Sequence, residues 1–119
     1  ARLAAIVDWE MGTVGDPLLD LAWVVMGWPD EGEVRTGGYV DYTGMPNRDD
    51  LLDHYATVSG RDVDDIDYYV VLARFKLAIV LEGGYARYVN GGADNPRMEA
   101  FGGVVLDLAA RAAELVRTI

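Results

Sequence analysis

The sequence predicts a mainly α-helical protein, in which a short β-strand or hairpin remnant is followed by about four helices. Four segments space their apolar residues at the helical period, and cap-forming residues stand before three of them. The strand prediction rests on residues 3–7, Leu-Ala-Ala-Ile-Val, which are short, apolar and bounded by charge. A length of 119 residues allows one domain with one modest core.

The first predicted helix begins at Asp16 and Pro17. Asp16 suits the N-cap, and Pro17 suits the first helical position because its missing N–H has no intrahelical partner there. Residues 27–29, Gly-Trp-Pro, end this helix. Its apolar face consists of Leu18, Leu21, Ala22 and Val25.

A loop over residues 29–47, rich in Gly, Asp and Glu and containing Tyr39 and Tyr42, separates the first two helices. Loops of this length in compact domains are commonly functional or mobile. Asn47 is a second N-cap, and Gly60 is a C-terminal stop for the helix between them. The apolar face predicted for this second helix consists of Leu51, Leu52, Tyr55 and Val58.

The third predicted helix, over residues 66–89, is apolar on nearly every side, which is typical of the centre of a bundle. Its aromatic residues are therefore expected in the core; they are Tyr68, Tyr69 and Phe75. The pair Gly83-Gly84 could either admit another backbone closely or kink the helix. Asn95-Pro96 predicts the start of a fourth helix that continues to the C-terminus.

The acidic composition makes some classes of binding partner unlikely to bind this protein. A formal net charge of −10 repels phosphate backbones, so neither nucleic acid nor an anionic membrane surface is expected to bind. The chain has no cysteine, and it shows no cleavable signal pattern, so a cytoplasmic location is predicted. The most apolar stretch, residues 69–81, is interrupted by Arg74 and Lys76, each of which needs an acidic partner or a site.

The opening segment places several acids beside apolar residues. Asp8 follows the predicted strand, and Glu10 would share its face in an extended backbone. Such carboxylates suit Mg²⁺, although an ordinary solvated turn has the same pattern. Asp16 is a helix cap. Asp20, flanked by leucines and an alanine, is either a partly buried acid that needs donors or an exposed acid in the first helical turn.

Residues 6–10, Ile-Val-Asp-Trp-Glu, and residues 15–22, Gly-Asp-Pro-Leu-Leu-Asp-Leu-Ala, together resemble the metal-binding signature of the aminoglycoside phosphotransferase and choline kinase family. Residues 51–62 and 68–76 resemble the branch that includes kinase-like domains attached to acyl-CoA dehydrogenases. The resemblance implies the helical part of a protein-kinase-like C-terminal lobe. Residues 1–15 would form the metal-binding strand and turn, and residues 16–119 the helical subdomain.

This resemblance also implies roles for individual residues. Asp8 would bind Mg²⁺ that bridges the phosphates of ATP. Trp9 would pack beneath the site, and Glu10 would either assist the metal or only accept hydrogen bonds. Asp20 would steady the catalytic loop without chemical participation. Lys76 could meet an anionic group in the acceptor pocket or form a salt bridge, and Trp28 could line a substrate cleft or pack the first helix.

The sequence lacks several parts of the family pattern, among them the Gly-rich phosphate-covering loop and the phosphate-pairing lysine of the N-terminal lobe. The family's catalytic loop, His-Gly-Asp-x-x-x-x-Asn, is absent, and the single histidine, His54, lies on a predicted helix. The chain also begins inside the predicted strand, which indicates a fragment whose partner is a missing N-terminal lobe. We therefore expect no catalytic residue and no activity in the fragment, while the parent protein would phosphorylate a small-molecule hydroxyl with ATP and Mg²⁺.

A second interpretation belongs to a different class of protein. The chain could be a helical interaction or assembly module, or a degenerate kinase remnant, in which the acids are structural. An exposed apolar face would then bind a partner or self-associate.

Overall fold

The computed structural model describes residues 3–29 and 40–119. This part of the chain is mainly helical, as predicted, and two short 3₁₀ helices, Trp9–Met11 and Pro96–Met98, accompany the α-helices. The predicted loop residues 30–39, with Tyr39, lie outside the described residues. The α-helices are α1 (Pro17–Val25), α2 (Arg48–Ser59), α3 (Ile66–Val89) and α4 (Phe101–Leu115).

Local capping explains where α1 and α2 begin and end. The Leu18 N–H donates to Oδ1 of Asp16 at 2.9 Å, and Pro17 is the first residue of α1. Asn47 accepts the Asp50 N–H at 2.8 Å, so it caps α2 as predicted. α2 stops at Gly60, whose φ of 68° is a left-handed conformation that glycine adopts without steric cost.

The core lies where α1, α2 and the first turns of α3 meet. α3 also packs against α4, which contributes the half-buried Leu115 to the edge of the core. In the described ranges, no helix is both long enough and apolar enough to cross a membrane. The buried residues are Leu21, Ala22, Val25, Leu52, Ile66, Val70 and Ala73.

The second half of α3 approaches α4 closely because glycines face aromatic rings at the contact. A Cβ at Gly84 would lie 3.1 Å from the Phe101 ring. In the reverse direction, a Cβ at Gly102 would lie 2.9 Å from Cζ of Tyr85. α3 is helical through this glycine pair, and Gly84 admits the Phe101 side chain rather than another backbone.

The predicted buried strand over residues 3–7 is wrong for the structure. These residues have no regular secondary structure, and Leu3 and Val7 are 81% and 78% exposed. A strand requires hydrogen bonds to a neighbouring strand. The described residues offer no such neighbour, so the apolar pattern alone does not produce a strand.

Three further expectations need correction. Tyr68 and Phe75, predicted in the core, are exposed, because the described helices cover only part of the circumference of α3. Val58, on the predicted apolar face of α2, is also exposed. Asn95 caps only the short 3₁₀ helix Pro96–Met98, through the Arg97 N–H at 3.1 Å, and α4 begins separately at Phe101.

Candidate functional site

Asp8 lies at an unusual turn of the backbone. With φ 70° and ψ 47°, it is the one non-glycine residue with positive φ in the described ranges. This conformation costs roughly 1–2 kcal/mol for an L-residue, although aspartate tolerates it better than most, and such strained positions cluster at functional sites. The Asp8 side chain is exposed and does not cap the 3₁₀ helix that follows. Its carboxylate is therefore presented to solvent.

Trp9 closes the same turn. Its indole Nε1 donates to the Ile6 carbonyl at 2.8 Å. A Cβ at Gly12 would lie 2.9 Å from the Trp9 carbonyl oxygen, so only glycine fits at that position without a shift. The Trp9 side chain is 70% exposed in the described part of the chain. Its hydrogen bond braces the turn that carries Asp8, and its packing beneath a site stays a prediction.

Glu10 lies within the 3₁₀ helix Trp9–Met11. Because the backbone from Asp8 onward is turned rather than extended, the alternation of a strand does not apply, and the expected shared face of Asp8 and Glu10 loses its basis. Both side chains are exposed.

The turn at Asp8 supplies carboxylate donors but not a complete set of metal ligands. In the described part of the chain, no group of three or more His, Cys, Asp or Glu residues is placed to hold one. Mg²⁺ commonly uses only one or two carboxylates and takes phosphate and water oxygens for the rest of its coordination shell. The exposed Asp8 and Glu10 therefore fit a magnesium ion that arrives with a phosphate ligand, and they do not fit a closed protein-only site.

A side-chain hydrogen bond links the start of α1 to α3. The Tyr69 hydroxyl donates to Oδ2 of Asp16 at 2.7 Å, while Oδ1 of the same carboxylate accepts the Leu18 N–H. These two hydrogen bonds, the one from Leu18 foremost, lower the pKa of Asp16, and the positive charge of Arg61 adds to the effect. The hydrogen bond from Tyr69 to Asp16 also raises the pKa of Tyr69, because the Asp16 carboxylate stabilises the protonated hydroxyl. Sequence reasoning identified the cap but not this cross-link.

Asp20 is exposed in the first turn of α1. Of the two sequence alternatives, the structure shows the exposed acid and not the partly buried one. Its placement near the N-terminus of α1 is favourable for a negative charge. The role implied for Asp20 in steadying a catalytic loop stays a prediction.

Trp28 anchors the end of the long loop to the end of α1. Its Nε1 donates to the Pro46 carbonyl at 3.0 Å, and the Tyr42 hydroxyl donates to the Gly27 carbonyl at 3.1 Å. The rings of Trp28 and Tyr42 meet edge to face, with centroids 5.2 Å apart and an interplanar angle of 72°. Trp28 is thus engaged in holding the loop, and the cleft described next does not include it.

A cleft of about 390 Å³ lies among the helices. Arg74, singled out in the sequence, lines it and donates from Nη1 to the Arg111 carbonyl at 3.1 Å. Lys76 is half-buried on α3 but does not line the cleft. Arg48 and Arg111 also line the cleft; sequence reasoning missed them, because nothing local indicates that side chains from separate helices converge.

The sequence is similar to a known protein family and to several known proteins. Residues 1–54 match the profile described as "Phosphotransferase enzyme family". The chain is 32% identical over 127 aligned residues to acyl-CoA dehydrogenase family member 11 of Gallus gallus. This alignment covers 100% of the chain and 16% of the Gallus gallus protein. The human protein of the same name is 29% identical over 119 residues, covering 96% of this chain and 15% of the relative.

A plant relative extends the pattern: the probable acyl-CoA dehydrogenase IBR3 of Arabidopsis thaliana is 28% identical over 103 residues, covering 77% of this chain and 12% of that protein. No solved structure gives a significant match. The chain therefore spans about a sixth of the length of the vertebrate relatives, at 16% and 15%.

The turn at Asp8 thus lies within residues 1–54, the segment that matches the phosphotransferase family profile. The resemblance to the aminoglycoside phosphotransferase family is confirmed, and so is the resemblance to the branch with members named acyl-CoA dehydrogenase family members 11 and 10.

Proposed function

We propose that this chain is part of an ATP- and Mg²⁺-dependent phosphotransferase that phosphorylates a hydroxyl group of a small molecule. The observation that carries the proposal is the left-handed turn at Asp8, which presents a carboxylate to solvent inside the segment that matches the phosphotransferase family. When bound, the magnesium ion would neutralise negative charge on the phosphates of ATP.

The residues of the chain have separate roles in this proposal. Asp8 would hold the metal, with Glu10 as a further candidate ligand. Trp9 would keep the turn closed through its hydrogen bond to the Ile6 carbonyl. Within the helical subdomain, residues 16–119, the Asp16–Tyr69 hydrogen bond would hold the start of α1, which follows this turn, against α3. Residues 1–15 would then form the metal-binding turn of a C-terminal lobe.

The 119 residues alone are proposed to be inactive. The family's catalytic loop motif is absent from the sequence, and the single histidine, His54, is exposed on α2, remote in sequence from the Asp8 turn. The partner needed for activity would be an N-terminal lobe of the same protein. We also propose that the protein is located in the cytoplasm.

The acceptor would be a hydroxyl compound. An acyl-type hydroxy compound is one candidate class, because several relatives are named acyl-CoA dehydrogenases. An aminoglycoside is not assumed, since a shared fold supports many substrates.

A helical interaction module is the second candidate function, and one observation favours it. Large apolar side chains are exposed on several elements, including Val7 at 78%, Leu106 at 73% and Phe75 at 60%. Apolar surface of this kind commonly marks a site of association. In this alternative, the acids at the opening turn only shape the backbone.

The test is Mg²⁺-dependent ATP binding by the longest protein that the gene encodes, identified by intact mass and compared with the 119-residue chain. Asp8→Asn removes the charge but retains a residue that tolerates positive φ. Asp53→Asn, an exposed acid on α2, is the matched control. We expect Asp8→Asn to weaken Mg-ATP binding at least tenfold without changing the free energy of unfolding, and Asp53→Asn to leave the binding unchanged.

Two outcomes would contradict the phosphotransferase proposal. One is a longer protein that does not bind Mg-ATP, and the other is an Asp8→Asn variant with unchanged affinity. Light scattering on the 119-residue chain separates the alternative, because a concentration-dependent increase in mass supports the interaction module.

A further inference from the structure

One face of α3 is apolar and largely exposed to solvent in the described part of the chain. Its large residues recur at spacings of four and three, so they form one stripe along the helix. Tyr68, Phe75 and Ile79 are 59%, 60% and 57% exposed. The buried residues of α3 lie on the opposite side of the helix; they are Ile66, Val70 and Ala73. This stripe, the α3 face, consists of Tyr68, Leu72, Phe75, Ile79, Gly83 and Ala86.

The bulk of the α3 face changes along the helix. All the large side chains of the face lie within residues 68–79, which form its bulky half. The shallow half, within residues 83–86, consists of Gly83 and Ala86, which are both exposed. A Cβ at Gly83 would meet nothing within 4 Å, so there is open space beside this half of the face.

The aromatic end of the α3 face is ordered by contacts within the chain. The Tyr68 ring meets the Tyr69 ring edge to face, with centroids 5.2 Å apart and an interplanar angle of 86°. Tyr69 is held in turn by the hydrogen bond from its hydroxyl to Asp16. Because a side chain that is already ordered loses little freedom on binding, this arrangement lowers the cost of association.

The chain exposes more surface than a folded monomer of its size. Its accessible surface is 9100 Å². The scaling of surface with mass gives roughly 6,300 Å² for a monomer of 13.0 kDa. The excess, about 2,800 Å², is more than three times the roughly 800 Å² that one partner contributes to a standard interface. The exposed surface is therefore large enough to supply the interface of a stable dimer.

We propose that the α3 face binds a second copy of this chain, with the two α3 helices antiparallel. In this arrangement a two-fold axis passes near residue 77. The bulky half of each copy then fills the space beside the shallow half of the other, as close packing requires. Three opposed pairs result, which are Tyr68 with the partner's Ala86, Leu72 with the partner's Gly83, and Phe75 with the partner's Ile79.

The shape of the face disfavours a parallel pair. A parallel pair would set Tyr68 against the partner's Tyr68 and leave space between the two copies of Gly83. The antiparallel pair also brings the negative C-terminal end of each α3 near the positive N-terminal end of the other. Lys76 flanks the face, and its long aliphatic stem allows the ammonium group to remain in water.

This proposal rests on the helical interaction module, the second candidate function, for which it names the surface and the partner. It does not depend on phosphotransferase activity. The test is sedimentation equilibrium of the 119-residue chain and of the longest protein that the gene encodes. We expect both to form dimers and no larger oligomers, because a two-fold pair uses the same face on each copy and is closed.

The affinity and its salt dependence are also expected outcomes. The dissociation constant should be about 10 µM, as for an interface at the small end of the range. It should fall severalfold between low salt and about 0.5 M NaCl, because two chains of net charge −10 repel each other and salt screens the repulsion.

Matched variants locate the interface. Phe75→Gln should weaken dimerisation about thirtyfold, since it removes an aromatic side chain from the centre of the interface. Leu106→Gln is the control, because Leu106 is an exposed apolar residue of α4 and lies outside the α3 face. It should leave the dissociation constant unchanged. Both side chains are exposed in the monomer, so neither substitution should prevent folding.

An exchange of bulk tests the orientation of the two helices. Ala86→Tyr should weaken dimerisation about tenfold, because the new ring would meet the partner's Tyr68. Adding Tyr68→Ala to this variant should restore dimerisation, since the large and small positions are then exchanged. A parallel pair predicts the opposite result for Ala86→Tyr alone, because the new ring would fill the space between the copies.

Four results would overturn the proposal. One is a 119-residue chain that stays monomeric up to about 1 mM. Another is a dimer that is lost in the longer protein, because another segment of that protein would then cover the α3 face. Tighter dimerisation of Ala86→Tyr would contradict the antiparallel arrangement. Equal effects of Leu106→Gln and Phe75→Gln would place the association on another surface, and the helical interaction module would then stand without this interface.

Discussion

The two ends of α3 belong to differently packed regions. The core region, formed by α1, α2 and residues 66–73, contains every buried side chain among the described residues. The hairpin region, formed by residues 74–89 and α4, contains none, although its helices approach so closely that a Cβ at Gly84 or Gly102 would crowd an aromatic ring. Close approach and burial are therefore separate properties. Two helices exclude water only between them, whereas a third element is needed to cover their outer faces.

The largest expected difference between the regions is in the cost of removing a leucine. Leu52→Ala, in the core region, should lower the free energy of unfolding by about 2–5 kcal/mol. Leu106→Ala, in the hairpin region, should change it by less than about 0.5 kcal/mol, because that side chain is 73% exposed. Urea denaturation of the 119-residue chain measures both. Equal costs would mean that the hairpin region is covered in solution, for example by self-association.

The glycines of α4 provide the next largest contrast. Gly103→Ala should raise the free energy of unfolding by about 0.5–1 kcal/mol, because a Cβ there meets nothing within 4 Å. Gly102→Ala should lose that gain, since its methyl group would lie 2.9 Å from the Tyr85 ring. The same denaturation experiment compares them. If both variants were equally stabilised, the Tyr85 ring would have moved aside freely and the contact would not be tightly packed.

The Asp16–Tyr69 bond links the N-cap of α1 to α3 and makes the stability of the core region depend on pH. The pKa of Asp16 in the folded protein lies below its unfolded value of 3.8. Its contribution is therefore fully present well above pH 3.8 and is lost as the pH falls through the folded pKa. Asp16→Asn retains a good N-cap but does not titrate.

Thermal melts at several pH values test this dependence. At pH 7 the native protein should melt at a higher temperature than Asp16→Asn, and the difference should shrink as the pH falls below 3.8. Tyr69→Phe should also lower the melting temperature, and its difference from the native protein should vanish at alkaline pH. The pKa of Tyr69 is raised above 10.0, so its contribution is present below that value and is lost only as the pH rises through the folded pKa. A difference that is independent of pH would contradict both expectations.

The smallest expected effect is that of the exposed ion pair within α4. Asp107→Asn should lower the free energy of unfolding by about 0.3–0.5 kcal/mol, since the Asp107–Arg111 pair spans one helical turn at the surface. The effect should disappear in 1 M NaCl, where such pairs are screened. A loss above about 1 kcal/mol would indicate that Arg111 depends on Asp107 to keep the cleft in shape.

The family resemblance was predictable because it rests on a local motif. Residues 6–10 and 15–22 were sufficient to indicate a phosphotransferase, and the match over residues 1–54 includes them. The state of the individual residues was less predictable. Asp20 has apolar neighbours in sequence yet is exposed, because the face of a helix that becomes buried depends on which element packs there.

The amino-acid sequence by itself determined where α1 and α2 start, where α2 stops and how far α3 extends. Capping at Asp16, Asn47 and Gly60 acts over a few residues, so short-range chemistry is enough. Only the tertiary structure decided that residues 3–7 lack a strand partner, that half of α3 remains uncovered and that three arginines converge on one cleft. Each of these outcomes depends on contacts between distant segments, and no local pattern specifies which segments become neighbours.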